Sequence, residues 1–246
     1  EHNTMDNGLV YRQNITGYNN MNFFKRGRKT SETIADGEGN PYIERLAQAT
    51  LYDFGGWEVS DSTCEATGIY VGREVEATYY YEGHTPYSVV TAVSKDYDNQ
   101  RNITRYTNEG IVNGLQQEYF TADISYKRNM PHNLISLPDT IVVRDNAGVV
   151  LQKRTAKYNN RGKLINLFLH NDSYIAESNF SYDSYGNVIN FKGPENANGD
   201  RLEYKYSYDN TVHTYPVWVE NVPLGYYSTA DYDFRFGKPT RTVDIN

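Results

Sequence analysis

The feature that most constrains this chain is a period. In its second half a tyrosine followed by Asp or Asn recurs at Tyr158, Tyr182, Tyr208 and Tyr232, at intervals of 24, 26 and 24 residues. Self-similarity at a fixed period of about 20 to 50 residues marks a repeat architecture, one supersecondary unit per period.

The stretch FSYDSYGNVINF, Phe180 to Phe191, shows what the unit is. Aromatic residues at alternate positions, Phe180 and Tyr182, share one face of a strand. Asp183 then leaves the strand with a carboxylate able to accept from the backbone amide two residues on. Gly186 supplies the positive φ that a short hairpin loop needs, and Asn187 is expected to tolerate the same left-handed region. Val188 to Phe191 is the returning strand. The same logic recurs at Tyr158-Asn159 with Gly162, at Tyr208-Asp209, and at Tyr232-Asp233 with Gly237. Asp145 to Gly148 joins TIVVR to VVLQKR, and Asp36 to Asn40 joins ETIA to PYIER. Tyr52 to Gly56 and Tyr97 to Asn102 are further copies, the last without glycine.

Period-two alternation predicts strands at 74–81, 140–144 and 201–208. The stretch YIERLAQATL at 42–51 is the nearest thing to an amphipathic helix, but its Thr-Leu-Tyr-Asp ending reads as a strand entering another turn. Tyrosine makes up 24 of the 246 residues, against two Trp and three Met. Its ring packs on a pleated surface while its hydroxyl stays wet or finds an acceptor, which suits sheets with one solvated face. A single hairpin is marginal in water. Many hairpins must therefore pair edge to edge. The expectation is an all-β chain of repeated antiparallel hairpins in an extended, curved sheet, with degenerate repeats over 1–136 and regular ones over 137–246.

Charge and composition exclude several functions. Lys and Arg number 24 against 31 Asp and Glu, a formal charge of −7, so there is no general attraction to nucleic acid or anionic membranes. No apolar run reaches the length of a membrane-spanning helix. The lone Cys64 has no histidine nearer in sequence than His84, and the histidines at 2, 84, 132, 170 and 213 lack metal-ligand spacing. Asp36 to Asn40 superficially resembles a calcium loop without its full ligand set, so a tight turn is preferred. Asp183, Asp209 and Asp233 each have a sufficient role as turn initiators. No catalytic residue, cofactor or metal is expected. The rival to a structural role is a binding module, with Tyr79, Tyr80, Tyr81, Tyr226 and Tyr227 as the aromatics placed to meet a carbohydrate or a protein surface. One ring of the Tyr79-Tyr80 pair should be more exposed than the other, since neighbours point to opposite faces.

FSYDSYGNVINF, RTAKYNNRGKLINL and DYDFRFGKPTRTVDIN resemble the YD repeats of Rhs-family proteins. The order NLISLPDTIVVRDNAGVVLQKRTAKYNNRGKL is similar to the approach to those repeats in Tc-toxin B-type proteins. The resemblance implies a wall segment of a hollow β-shell that encloses a C-terminal effector, in a secreted or cell-surface bacterial protein. Its implied partners are the adjacent repeats and the effector of its own parent chain. The family's autoproteolytic core carries an Asp-Pro motif, and this chain has no Asp-Pro dipeptide. The chain is accordingly read as a piece of the shell, whose last strand, Lys238 to Ile245, would pair with a further repeat.

Overall fold

The computed structural model describes residues 2–6, 9–61, 68–82, 87–114, 118–129 and 132–244, with backbone alone at 2–6, 87–88 and 129. Cys64, His84, Gly8 and Ile245 lie outside the described residues. The all-β expectation is borne out. Apart from short 3-10 turns such as Phe23–Lys25 and Val222–Leu224, the regular elements described are strands, and their registers are antiparallel. The chain forms two compact units, residues 1–125 with 142–151, and residues 126–141 with 152–246.

In the first unit the strands are β1 (His2–Asp6), β2 (Leu9–Tyr18), β3 (Lys29–Asp36), β4 (Pro41–Asp53), β5 (Glu58–Val59), β6 (Ile69–Tyr81), β7 (Tyr87–Tyr97) and β8 (Ile103–Ile111). The stretch 42–51 is strand, inside β4. That strand pairs with β3 on one side and with β6 on the other, from Ile43 opposite Tyr80 to Asp53 opposite Ile69. The two-residue β5 pairs with the end of β4. The core gathers here. Leu51 is fully buried against Ile69 and Val71, with Phe24, Ala49 and Val59 packed around them. Burying each such side chain contributes about 1.5–3 kcal/mol. Phe24 comes from a 3-10 turn that Asn22 caps, its Oδ1 accepting from the amides of Phe24 and Lys25 at 2.9 and 3.2 Å. The side-chain amide of Asn22 donates to the Asp61 carbonyl at 2.7 Å.

Strands β9 (Phe120–Asn129) and β10 (Leu134–Asp145) pair with each other and contribute residues to both units. The second unit continues as a meander of β11 (Val150–Tyr158), β12 (Leu164–Asn171), β13 (Tyr174–Tyr182), β14 (Val188–Glu195), β15 (Arg201–Tyr208), β16 (Pro216–Asn221), β17 (Tyr226–Asp233) and β18 (Lys238–Val243). Each strand pairs with the next. Since one period is two strands, every Tyr-Asp or Tyr-Asn turn falls at the same edge of the meander.

The register of this unit divides its two faces. Phe180, Phe191 and Tyr204 stand opposite one another on one face, the two phenylalanine rings 5.2 Å apart. The other carries a polar ladder. Glu177 accepts from the amides of Asn166 and Asn179, and Glu203 accepts from Asn190 and pairs with Lys192. Arg201 ties three strands together, donating to the carbonyls of Gly193 and Glu177 and to Asn179 Oδ1.

Candidate functional site

The repeating device is built at the exit of each odd strand of the second unit. At Asp183 the backbone closes a three-residue loop, with Asp183 N donating to Asn187 O at 3.0 Å and Gly186 N to Asp183 O at 3.3 Å. Oδ1 of Asp183 accepts from the amides of Tyr185 and Asn187, both at 2.9 Å. Gly186 stands at φ +94°, where a side chain other than glycine is strained. Asn187 corrects the sequence reading: it is not among the positive-φ residues. Its side-chain amide caps the turn instead, donating to Asp183 Oδ2 at 2.9 Å and to the His213 carbonyl at 2.7 Å.

The same geometry recurs at Asp36, Asp53, Asp98, Asp145, Asn159 and Asn196, with positive φ at Gly39, Gly56, Arg101, Gly148, Gly162 and Gly199. The Asn196 copy is one the sequence reading does not include: Glu195 stands where the repeats have tyrosine, and Asn196 stands where most copies have aspartate. Its signal was the Asn-x-x-Gly spacing alone. At Asp98 an arginine holds the left-handed position at φ +66°. Asp209 heads a longer loop. Its buried carboxylate accepts from the amides of Thr211, Val212, His213, Thr214 and Tyr215. Burial raises the Asp209 carboxyl, but these amides outweigh it and hold it far below the usual carboxylate range. Asp183 is lowered by the same balance, its burial outweighed by the Asn187 side chain and backbone amides. At Asp233 the lowering comes first from Arg235, whose guanidinium pairs with the carboxylate at 2.7 Å, and Gly237 takes φ +64°.

The repeat tyrosines do something the spacing alone did not reveal. At Tyr158, Tyr182, Tyr208 and Tyr232 the strand register shifts, the facing strand carrying one extra residue, respectively Ile165, Ile189, Val217 and Thr240. Such a bulge strengthens the local twist and re-aims the side chain beside it. The hydroxyl of Tyr182 donates to the Leu164 carbonyl at 2.7 Å, and that of Tyr208 to the Val188 carbonyl at 3.0 Å. Both acceptors are the first residues of the strand leaving the previous repeat's turn. Tyr158 donates to Pro138 O at 2.8 Å. These three tyrosines therefore staple their hairpins to the strands before them, and burial pushes the hydroxyls of Tyr158, Tyr182 and Tyr208 up. Tyr232 is anchored differently, its ring stacked on Tyr215 with centroids 4.8 Å apart.

Neighbouring turns are joined laterally as well. Tyr185 stacks on His213, centroids 3.9 Å apart and planes 11° from parallel, and Arg161 donates to the Ser184 carbonyl at 3.3 Å. Between the Asn159 and Asp183 turns lies a concavity of about 720 Å³ whose lining includes Arg161, Lys163, Phe180, Tyr182 and Tyr185. The first unit has its own concavity of about 620 Å³, floored by Ala47 and Ala49 and flanked by Lys25, Arg28, Glu74 and Lys95. Its charges are largely paired within it. Lys25 meets Asp61 at 2.6 Å, Arg28 meets Glu74, and the Tyr97 hydroxyl donates to Glu74.

Of the aromatics expected to face a ligand, Tyr80 is more exposed than Tyr79 and Tyr81 donates to Glu44 at 2.9 Å. Tyr226 and Tyr227 are both exposed at the edge opposite the repeat turns, and Tyr227 lies against Trp218. His170 meets the Thr155 hydroxyl at 2.9 Å. Among the described residues no group of three His, Cys, Asp or Glu side chains is placed to hold a metal ion, and no helix is long and apolar enough to cross a membrane.

No protein-family model matches the chain, and no curated protein does. Several solved structures are similar. The crystal structure of TcdB2-TccC3-Cdc42 matches at 12% identity over 94% of this chain and 14% of that one, with a TM-score of 0.39. TcdB2-TccC3 without its hypervariable C-terminal region matches at 12% identity over 96% of this chain and 14% of that one, with a TM-score of 0.39. A porin-like protein from Bacteroides uniformis ATCC 8492 matches at 12% identity over 87% of this chain and 88% of that one, with a TM-score of 0.37. This chain spans only about a seventh of the TcdB2-TccC3 chains. With TM-scores below 0.5, the fold stands on its own strand registers.

Proposed function

We propose that this chain is a non-catalytic structural segment of a larger YD-repeat protein, forming part of the wall of a β-shell that encloses or presents an effector. The observation that supports the reading is the run of tyrosine staples. Three of the four repeats spend their tyrosine hydroxyl on the backbone of a strand before their own hairpin, at Tyr158, Tyr182 and Tyr208, so the sequence unit serves to propagate a sheet. The repeat-turn aspartates have their oxygens engaged by backbone amides, by the Asn187 side chain at Asp183 and by the Arg235 guanidinium at Asp233, so each carboxylate has a structural use. The adjacent repeats and effector of its own parent chain are then its partners, and a secreted or cell-surface setting follows from the same reading.

Limited proteolysis of the parent polypeptide tests it. If the segment is wall, the repeat region resists a broad-specificity protease and shields the segment C-terminal to it. The same C-terminal segment, expressed alone, is digested quickly. Equal digestion of that segment in both forms would overturn enclosure. Turnover of a glycoside, ester or peptide that vanished on replacing one Asp or His would overturn the non-catalytic reading.

A further inference from the structure

We propose that the concavity between the Asn159 and Asp183 turns is a binding site for an acidic oligosaccharide, with Tyr185 as its stacking platform and Arg161 and Lys163 as its carboxylate clamp. Tyr185 is 64% exposed although it stacks face to face on His213. Three consecutive turns of the meander lie in the order 159–163, 183–187 and 209–215. His213 covers Tyr185 from the third turn, and the ring's remaining surface lines the concavity shared with the first.

The platform is held in place. His213 sits at φ +54°, its amide donating to Asp209 and its carbonyl accepting from Asn187. A non-glycine residue kept in the left-handed region by its surroundings is the kind of strain that gathers at binding sites. A ring that is already immobile loses little entropy on binding.

The charges choose the ligand. Arg161 and Lys163 line the concavity, and neither meets a carboxylate at ion-pair distance among the described residues. The one acidic side chain in the lining, Asp183, is spent on its own turn. The result is a locally cationic site with an aromatic face in a chain of net charge −7. A pyranose ring offers C–H groups to such a face, and a uronate carboxylate answers the two cations. Asn159 and Asn160 in the lining supply amides for ring hydroxyls. A volume of about 720 Å³ is within the range of small-molecule sites.

Calorimetric titration with trigalacturonate, and with maltotriose as the neutral counterpart, tests the site. Trigalacturonate is expected to bind, more weakly as salt rises, and maltotriose to bind at least about tenfold less well. Tyr185→Ala should weaken trigalacturonate about tenfold, and Arg161→Gln with Lys163→Gln should abolish the preference for the charged sugar. All three side chains are exposed, so circular dichroism should show the variants folded. His213→Ala should weaken binding while Tyr185 remains, a loss that an adventitious charge contact would not produce. Equal binding of both sugars would overturn the carboxylate clamp. No heat with trigalacturonate at about 100 times a millimolar dissociation constant, or binding lost in Tyr226→Ala but kept in Tyr185→Ala, would overturn the site.

Discussion

The two units of this chain solve one problem in two ways. The first has a small conventional core. The buried apolar side chains of the described residues, Ala35, Leu51, Ile69, Tyr70, Val71 and Val90, all belong to it. The second unit contributes none of them, and its most buried charged group is the turn residue Asp209. Its order rests on half-buried aromatics, on filled turn carboxylates and on tyrosine hydroxyls that reach the preceding hairpin. The lesson is that a sheet of repeats needs no deep core when each repeat hydrogen-bonds the backbone of its neighbour.

Removing apolar volume should therefore hurt the first unit most. Leu51→Ala empties a fully buried position and is expected to cost about 2–5 kcal/mol, read as a lower denaturation midpoint with faster amide exchange in β4 and β6. No single apolar truncation in β11 to β18 should match it. If Phe191→Ala costs as much, the contrast between the units is wrong.

Acid should reverse the ranking. Glu32 of the first unit is lowered, drawn down chiefly by Arg45, and so are Asp183, Glu203, Asp209 and Asp233 of the second. A carboxyl lowered in the folded state adds stability above its unfolded value, about pH 4, and that stability is lost as pH falls through the folded value. Amides of β13 to β18 should lose protection below about pH 4 before those of β4 and β6 do. Asp209→Ala should bring the second unit's loss up to neutral pH, where exchange of the amides from Thr211 to Tyr215 rises. Acid exchange that is uniform along the chain would sink this.

How far the sequence could be read divides along the same line. Strands and turns of the repeats were legible because their chemistry is local: Asp or Asn opens the loop, and glycine takes the positive φ three residues on. The staples were not legible. A hydroxyl donating 18 or 20 residues back depends on a bulge opposite the tyrosine, and a bulge is set by the register of two strands together. The core at Leu51 was equally hidden, because Phe24 and Val59 reach it from segments with no strand period of their own. The expected ligand-facing aromatics were chosen for adjacency. Tyr185 sits inside the turn motif, where local chemistry gives roles only to its neighbours Asp183 and Gly186, and its stacking on His213 is a contact between turns that no local pattern signals.

The staples can be tested one hydroxyl at a time. Tyr182→Phe keeps the ring and leaves the Leu164 carbonyl without its donor, so a loss of about 1 kcal/mol is expected. High pH should act on all of them together. Burial raises Tyr158, Tyr182 and Tyr208. A tyrosine raised in the folded state adds stability below its unfolded value, about pH 10, and that stability disappears as pH climbs through the folded value. The wild type should lose more stability above about pH 10 than Tyr182→Phe does. Parallel pH profiles for the two proteins would show that the Tyr182 hydroxyl does not hold the hairpins together.

The smallest effect should have the opposite sign. Every other copy of the three-residue turn places glycine at its left-handed position, and the Asp98 turn places Arg101 there at φ +66°. Its remaining geometry is intact, with Asp98 accepting from the amides of Gln100 and Asn102 at 2.9 and 2.8 Å and from the Asn102 side chain at 3.0 Å. A side chain in that region costs roughly 1–2 kcal/mol, and glycine returns part of the gain through the greater freedom of the unfolded chain. Arg101 is exposed, so little packing is lost with it. Arg101→Gly should thus stabilise the first unit by about 0.5 kcal/mol, seen as a raised denaturation midpoint. Gly186→Val, the reverse exchange with a β-branched residue at φ +94°, should destabilise the second unit by about 2 kcal/mol. If both substitutions lower stability, the turns of the two units are not the same device, and the first unit's copies have been rebuilt around other contacts.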